Sequence, residues 1–487
     1  MADEWAHLDA TDQALLVRRG EASPLELIDA AISRLNRVNP KLNAVIHCYL
    51  EEARQAASQP DLPDGPLRGV PFLMKDIGGE EAGRAVHGGL RVAKQANFRA
   101  KQDSHFASRV QQAGLISLGR TNTPELALLP TTEPEAYGPT RNPWNLEYSA
   151  GGSSGGAAAA VAAGIVPVAH ASDGGGSIRG PASMCGLVGL KPTRGRCSFG
   201  PSLGERWSGF SCEFVLSRSV RDSALLLDLL SGPMPGDPYF APPPPKAFAT
   251  ALREPKGPLR IGMMTEAPRD IRVAPEMAAA VERCGECLES LGHSVERAHP
   301  LALEDQATVG HYVTVVGANV ARALEAWGEK LGVQVTEEDV EPLTWELARR
   351  GAEVSAPRLL ASLEFVHGFG RRLAEWWTGG FDLLLTPTQA LPPVRLGTLG
   401  STREEPLRGF LLSAPYGVFT LPFNLSGQPA LSCPMDWTPG SQDGPEGLPI
   451  GVQLVAPFGD ERTLLTVAAQ LEEAAPWKDR RPPTFAG

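Results

Sequence analysis

The sequence has 487 residues, and its 52 glycines and 44 prolines make up about a fifth of it, against about 12% in an ordinary protein. Hydrophobic residues account for 42% and the glycines have no three-residue period, which excludes a disordered chain and a collagen-like fibre. The formal net charge of −11 disfavours a nucleic-acid binder or an anionic-membrane binder, because both need a positive field, so we expect a small-molecule partner.

Helices and strands alternate along the sequence. Apolar residues at helical spacing predict two amphipathic helices over 12–37, the second starting with Ser23 as N-cap and Pro24 as its first residue. Strands are predicted over 69–75, 115–119, 165–169, 259–264, 381–387 and 448–455, and further helices over 104–113, 156–163 and 461–473. This order favours mixed α/β layering about one central sheet.

A proline-rich segment over 233–245 interrupts the pattern and contains PMPGDP and APPPP. Such a run favours extended polyproline geometry at the surface. An interdomain linker and a long surface loop within one domain over 1–487 both remain open.

Two glycine–serine clusters carry the chemistry, GGSSGG at 151–156 and DGGGS at 173–177. Ser153 and Ser177 are 24 residues apart, with the predicted helix and strand between them. A helix of about ten residues rises about 15 Å, and a strand of about five residues returns about 16 Å. The two serines are therefore predicted to lie close together.

The glycines before Ser177 have no Cβ atoms, so the backbone can adopt unusual dihedral angles and a substrate can approach it closely. Consecutive N–H groups in such a loop can converge on one point and stabilise an oxyanion. A plain glycine-rich turn is the alternative for an isolated cluster, and the second cluster argues against it.

A serine nucleophile needs a base, and two candidates lie in the sequence. His170 falls in a predicted strand, where a core histidine is the favoured interpretation. Lys75 ends an apolar run, and burial among apolar side chains lowers the pKa of an ammonium toward the range of a useful base. A lysine at a strand end that extends to solvent is the alternative when the serines are left aside. Asp76 would point to the opposite face of the strand and is given a structural role.

Nine segments in fixed order connect these residues to the rest of the chain. They are GVPFLMKD at 69–76, GRTNTPELA at 119–127, NPWN at 142–145, GGSSGG at 151–156, SDGGGSIRGPAS at 172–183, GLVGLKPTRGR at 186–196, FDLLLTPT at 381–388, NLSGQPALSCP at 424–434 and GLPIGVQLVAP at 447–457. A chain that carries them resembles the amidase signature family over nearly its whole length. The resemblance implies one large domain with a large central mixed β-sheet flanked on both faces by helices.

The resemblance also implies a Ser–cis-Ser–Lys triad that hydrolyses amides through an acyl-enzyme. Ser177 would be the nucleophile, Ser153 the bridging serine and Lys75 the base. No metal and no organic cofactor is implied, and the partners would be a small amide and water.

Further roles follow from the same resemblance. The oxyanion hole would be the backbone N–H groups of Gly174, Gly175, Gly176 and Ser177. An ion pair of Asp173 with Arg179 would brace the glycine loop, with a solvent-facing Arg179 as the alternative. Ser154 is either a hydrogen-bonding partner of the triad or the N-cap of the following helix.

Two departures from the family pattern stand near the site, and neither is expected to touch the triad. Ser172-Asp173-Gly174 replaces a common Thr-Asp-x, and Ala150 replaces a frequent proline. The segments around the site are similar to the subgroup of 6-aminohexanoate cyclic dimer hydrolases, which act on nylon oligomers. The variable region from about 300 to 420 is expected to shape the substrate pocket.

Other functions remain open at this point. Within the family they are a glutaminase-type amidotransferase subunit and a carbamate or aryl-amide hydrolase. An α/β-hydrolase esterase would use Ser153 in G-x-S-x-G with an upstream His87-Gly88-Gly89, but it leaves DGGGS and Lys75 unexplained. A nucleotide- or phosphate-binding module would use the glycine loops without catalysis, yet the chain lacks a P-loop.

The cysteines indicate the compartment. Seven cysteines, an odd number spread thinly, do not form a disulfide framework and favour a reducing environment. The N-terminal residues show no signal-peptide pattern, and the longest apolar run, over 157–169, is too short to span a bilayer. We expect a cytoplasmic protein that binds neither nucleic acid nor membranes, with a homodimer left open.

Cys284 and Cys287 form a CxxC, but core packing is favoured over zinc.

Overall fold

Helices and strands alternate along the chain, and the computed structural model describes residues 4–254, 257–441 and 444–487. The strands are β1 (Val45–Cys48), β2 (Pro71–Lys75), β3 (Ile116–Thr121), β4 (Arg141–Asn142), β5 (Asn145–Ser149), β6 (Val168–Asp173), β7 (Val188–Lys191), β8 (Cys212–Ser217), β9 (Arg260–Met263), β10 (Ser294–Arg297), β11 (Leu383–Pro387), β12 (Ala430–Ser441) and β13 (Gly444–Val455).

The α-helices are α1 (Ala10–Arg18), α2 (Pro24–Leu42), α3 (Leu50–Ser58), α4 (Arg91–Gln95), α5 (His105–Gln112), α6 (Gly155–Ala162), α7 (Arg179–Cys185), α8 (Val220–Leu230), α9 (Phe248–Ala251), α10 (Pro275–Ser290), α11 (Ala307–Leu331), α12 (Pro342–Ala352), α13 (Ala356–Thr378), α14 (Arg408–Leu412), α15 (Ala414–Gly417), α16 (Leu421–Ser426) and α17 (Glu461–Ala474). Short 3₁₀ turns cover Glu4–His7, Glu125–Ala127 and Leu301–Glu304.

A mixed sheet of eight strands forms the centre of the fold, in the order β10-β9-β11-β13-β12-β7-β8-β6. Pairing is parallel between β10, β9 and β11 and antiparallel from β11 onward to β6. The predicted α/β class with a large central mixed sheet is confirmed.

Helices pack on both faces of this sheet because successive side chains of a strand point to opposite sides. Gly451 and Gln453 of β13 bond to Ser183 and Arg179 on α7. Cys433 is the register partner of Val452 and lies close to Cys284 of α10, on the other face. Cys284 is thus a core residue, as its helical spacing indicated.

A second, three-stranded sheet has the order β1-β3-β2 and carries Lys75 at the end of β2. The sequence patterns did not predict this second sheet. Strand β2 precedes α5 in the chain and β3 follows it, and the two strands pair in parallel. Strand β1 pairs antiparallel with the other edge of β3. The small sheet packs its β2 strand against β6 at the edge of the central sheet.

The predicted element boundaries hold where local signals are strong. Ser23 caps α2, its side chain accepting the Glu26 N–H while the Glu26 carboxylate accepts the Ser23 N–H. The strand predicted over 165–169 is wrong in its bounds, since β6 covers Val168–Asp173. Pro167 has no N–H for the ladder, so pairing with β8 begins at the next residue.

The segment over 233–245 runs as a loop between α8 and α9. Strands β6 to β8 come before it in the chain and β9 to β13 after it, and all of them lie in the same central sheet. The helices α11, α12 and α13 fall in a region for which the sequence pattern had assigned no elements.

Gly156 is a contact point between α6 and the small sheet. A Cβ there would lie 2.4 Å from the backbone N of Asn122 and 2.6 Å from the carbonyl oxygen of Ala44. Gly156→Ala should therefore lower the free energy of unfolding by about 3 kcal/mol, the cost of an overpacked core. Urea unfolding followed by circular dichroism measures this.

Gly310→Ala is the matched control. Gly310 lies in α11, where an added Cβ meets no atom within 4 Å, so the substitution should stabilise the protein by about 0.5–1 kcal/mol. Equal shifts in the two variants would contradict the close contact at Gly156.

Candidate active site

The Lys75 side chain is fully buried at the end of β2 and ends among hydroxyl groups. Its Nζ donates to Ser153 Oγ at 2.7 Å and to Ser154 Oγ at 2.9 Å. A third contact reaches Ser172 Oγ at 3.0 Å. The amine is thus held by neutral oxygen atoms, and none of these three contacts is a carboxylate.

Burial is the main cause of the unusual acidity of this amine. It lowers the pKa of Lys75 from 10.5 to about 7, because the charged form loses its hydration. The carboxylates of Asp173 and Glu213 act in the opposite direction, and the positive charge of Arg206 reinforces the lowering of the pKa. Near neutral pH a large share of the lysine is the free base.

Ser153 lies just before α6 in a tightly packed turn. The Gly152–Ser153 peptide bond is cis. A Cβ on Gly152 would lie 2.4 Å from the backbone N of Thr131 and 2.5 Å from the carbonyl oxygen of Leu129, so glycine is required at this close approach. This packing presents the buried Ser153 hydroxyl to Lys75.

Ser177 follows β6 and lines the same cavity as Ser153. The predicted path of helix and strand therefore brings both serines to one cavity. Among the hydrogen bonds of the described residues, Ser153 Oγ accepts from Lys75 Nζ, and none joins Ser153 to Ser177. Ser177 lines the cavity wall.

Asp173 organises the glycine loop that precedes Ser177. Its carboxylate accepts the N–H of Gly176 at 2.7 Å and that of Ile178 at 3.1 Å. The Gly176 N–H, one of the expected oxyanion donors, is therefore already engaged by a carboxylate. Gly174, Gly175 and Ser177 line the cavity beside it.

Arg179 pairs with Asp173 from α7, and both side chains are fully buried. Two parallel contacts of 2.9 Å join the guanidinium to the carboxylate. The pair holds the pKa of Asp173 well below its usual range against the opposing effect of burial. The alternative of a solvent-facing Arg179 is excluded.

Other elements complete this network. The remaining Arg179 donors reach the Thr420 carbonyl oxygen, Gln453 Oε1 and Asn424 Oδ1. The Asn424 amide in turn donates to the Asp173 carboxylate. Every N–H of the buried guanidinium thus has an acceptor, which is the condition under which a buried charge is tolerated.

Ser154 has the position of an N-cap but makes no capping hydrogen bond. Its hydroxyl instead accepts from Lys75 and donates to the Ser172 carbonyl oxygen at 3.2 Å. Asp76 accepts the backbone N–H groups of His87 and Gly89, in keeping with its predicted structural role.

His170 is buried, and its Nδ1 accepts the backbone N–H of Lys75 at 3.2 Å. Burial lowers its pKa, and the charges of Lys75 and Arg120 reinforce this effect. The neutral ring ties the end of β2 to β6.

Ser172 is a site residue that the sequence reasoning missed. Its hydroxyl contacts Lys75 Nζ at 3.0 Å, so the expectation that this departure from the family pattern does not touch the triad is wrong. The signal that could have found it is that serine keeps the hydroxyl of the threonine it replaces.

The cavity around the two serines has a volume of about 290 Å³, close to the lower end for small-ligand sites. Its walls are largely apolar and come from α11, α14, α15 and the segment over 126–130. The variable region over 300–420 thus contributes cavity-lining residues, namely Val309, Tyr312, Val313, Gln389 and several residues over 410–418. The segment 320–378 is not part of the cavity lining.

Within the described ranges, no group of three or more His, Cys, Asp or Glu side chains is placed to hold a metal ion. Over those same residues, no helix combines the length and apolarity needed to cross a membrane.

Comparison with known proteins agrees with this geometry. The amidase family model matches residues 26–465. The chain is 44% identical over 488 aligned residues to 6-aminohexanoate-cyclic-dimer hydrolase of Pseudomonas sp. strain NK87, covering 99% of this chain and 97% of that protein. The hydrolase of the same name from Paenarthrobacter ureafaciens gives the same identity and coverage.

A solved structure of 6-aminohexanoate cyclic dimer hydrolase complexed with substrate superimposes with a TM-score of 0.94. The sequence identity is 43%, and 99% of each chain is covered. Because the family model spans most of the chain and the relatives match it from end to end, the chain belongs to the amidase signature family and is an amide-hydrolysing enzyme.

Proposed function

We propose that this enzyme hydrolyses small cyclic or linear amides of the 6-aminohexanoate type through an acyl-enzyme on Ser177. The observation that carries the proposal is the contact of 2.7 Å between the buried Lys75 amine and Ser153 in the cavity that Ser177 shares. The likeness to the two cyclic-dimer hydrolases supports the substrate class.

Acylation begins with neutral Lys75. Its lone pair accepts the proton of Ser153 as Ser153 accepts the proton of Ser177, and the Ser177 oxygen bonds to the substrate carbonyl carbon. The carbonyl oxygen becomes an oxyanion, which the N–H groups of Gly174, Gly175 and Ser177 stabilise.

Collapse of this intermediate breaks the carbon–nitrogen bond. The proton held on Lys75 returns through Ser153 to the leaving nitrogen, which departs as an amine. Water then adds to the ester by the same relay, releasing the carboxylic acid and the free Ser177 hydroxyl. No step consumes a redox equivalent.

The cavity suits a substrate with aliphatic segments. Its largely apolar lining would cover methylene chains, and its polar lining includes the two serines, Arg206 and Glu213. Burial of methylene groups contributes about 0.8 kcal/mol each. An oligoamide of six-carbon units combines the methylene chains and the amide groups that such a lining can accommodate.

The α/β-hydrolase reading is wrong, because the chain has the amidase signature fold and Ser153 contacts a lysine. The non-catalytic binding module is likewise set aside by the family assignment.

The proposed substrate is tested with purified enzyme and 6-aminohexanoate cyclic dimer. We expect ring opening, detected by liquid chromatography, and a fall of about 10⁴-fold or more in kcat/KM for Ser177→Ala, which lacks the nucleophile. Ser231→Ala, remote from the cavity, is the control. A panel with glutamine, an anilide and a carbamate follows, and preference for any of these over the cyclic dimer would contradict the substrate class.

Lys75 should set the pH dependence. Because its pKa is lowered to about 7 and the neutral form is the base, kcat/KM should rise tenfold per pH unit below about pH 7 and level off above it. Lys75→Ala should lower kcat/KM by about 10³-fold and abolish this limb. A variant that keeps near-normal activity at neutral pH would exclude Lys75 as the base.

Ser172 should support catalysis through Lys75. Ser172→Ala removes one of the three hydroxyl acceptors of the amine, so kcat should fall about tenfold, and the acidic limb should move to lower pH because the ammonium form is less stabilised. Ser172→Thr keeps the hydroxyl and should restore both. Equal profiles for the Ala and Thr variants would show that the hydroxyl contact is irrelevant.

A further inference from the structure

Glu213 lies on the cavity wall beside the catalytic hydroxyl groups, and no step of the mechanism uses it. In the antiparallel pair of β6 and β8, Glu213 is the register partner of Ser172. Directly opposed residues of such a pair project from the same face, with Cβ atoms about 5 Å apart. The Glu213 carboxyl is therefore a neighbour of the Ser172 hydroxyl that contacts Lys75.

The basic groups near Glu213 do not contact it. The guanidinium of Arg206 is paired with Glu80 at 2.7 Å. His170 Nε2 lies 4.0 Å from the nearer Glu213 oxygen, which is too long for a hydrogen bond. The His170 ring is also kept neutral by burial.

The backbone N–H of Gly79 stabilises the charged form of the carboxyl and so acts against the rise in its pKa. Glu213 Oε1 also lies against Gly78, where an added Cβ would be 2.0 Å from it. A carboxylate can accept about four hydrogen bonds, so the Glu213 carboxylate has acceptor positions that these contacts do not use. Glu213 also lines the cavity, where a substrate could donate to those positions.

Holding this charge without a further donor costs free energy. Glu213 is 3% exposed, and burial raises its pKa to about 7, with Arg206 acting against the rise and Glu80 in its favour. A substrate N–H that enters the cavity could donate to the carboxylate and replace the hydrogen bonds that it lost to water on burial.

We propose that Glu213 is a specificity-determining residue that accepts a hydrogen bond from a second nitrogen of the substrate, placed beyond the scissile amide. The shared chemistry is an N–H donor, supplied either by an ammonium group or by a second amide. The inference rests on the proposed function, since amides of the 6-aminohexanoate type carry such a nitrogen.

Binding to the Ser177→Ala variant tests this without turnover. The ligands are hexanamide, 6-aminohexanamide and 6-acetamidohexanamide, which share the six-carbon acyl chain and differ in the second nitrogen. Isothermal titration calorimetry should give a Kd at least tenfold lower for one or both nitrogen-bearing ligands than for hexanamide.

Two substitutions at Glu213 then identify the source of the N–H. Glu213→Gln removes the charge but keeps an oxygen acceptor at nearly the same volume. If the donor is an ammonium, Glu213→Gln should reduce the Kd ratio of hexanamide to 6-aminohexanamide at least fivefold. If the donor is an amide N–H, the Kd ratio of hexanamide to 6-acetamidohexanamide should change less than twofold. Glu213→Leu should abolish both advantages.

Glu472→Gln is the matched control. Glu472 is another buried carboxyl whose pKa burial raises to about 7, and it accepts the Val220 N–H away from the cavity. It should leave the ratio of Kd values unchanged. The inference is overturned if hexanamide binds as tightly as the other two ligands, if both Glu213 variants keep the preference, or if Glu472→Gln loses it equally.

Turnover assays test the proposed function independently of these Kd ratios. If the unsubstituted enzyme does not hydrolyse the cyclic dimer, or if Ser177→Ala retains full turnover, the acyl-enzyme proposal is refuted, while the Kd ratios can still be measured.

Discussion

The burial of the Lys75 amine against neutral hydroxyl groups is the constraint on which the site depends. An ammonium in contact with a carboxylate would keep a high pKa and could not act as a base near pH 7. Here the nearest oxygens belong to Ser153, Ser154 and Ser172. The negative charge of Asp173 is close enough to raise the lysine pKa, but a bidentate contact with Arg179 neutralises it. The buried ion pair thus allows an acidic loop beside a neutral amine.

Lys75 lies on the small sheet, whereas Ser177 follows β6 of the central sheet, so their relative position has to be fixed where the two sheets meet. Lys75 donates its backbone N–H to His170 on β6, and its carbonyl oxygen accepts from the buried Arg120 at 2.7 Å. The same guanidinium reaches the carbonyl oxygens of Gly78 and Gly79. Backbone hydrogen bonds to both sheets therefore hold the lysine, which leaves its side chain free to change protonation.

Sequence patterns sufficed for some local features of the site. The apolar run before Lys75 predicted its burial, and the helix and strand between Ser153 and Ser177 predicted that the two serines meet at one cavity. The hydrogen bond from the Gly176 N–H to the Asp173 carboxylate was not predicted, because the carboxylate folds back onto the loop in a way that no spacing indicates. Ser172 was missed because its role follows from the bounds of β6, which start three residues later than predicted.

Contacts between distant residues lay beyond local patterns altogether. Thr420 and Asn424 reach Arg179 from more than 240 residues away, and only the packing of α16 against the glycine loop brings them there. The small sheet was not separated from the central one, since strand pairing depends on which edges are already occupied.

The glycine surplus is partly explained by this packing, because 13 of the 52 glycines fall within 151–200, about a tenth of the chain. Gly152 lies against the backbone of the 129–131 segment, and at Gly176 the φ of 135° combines with a Thr420 side chain that would meet a Cβ at 2.4 Å. Both sites exclude a side chain on steric grounds, independently of any need for a flexible loop. The glycine backbone is closely packed, and Asp173 and Arg179 hold it in place. This packing keeps Ser177 and the neighbouring glycines at the wall of one small cavity.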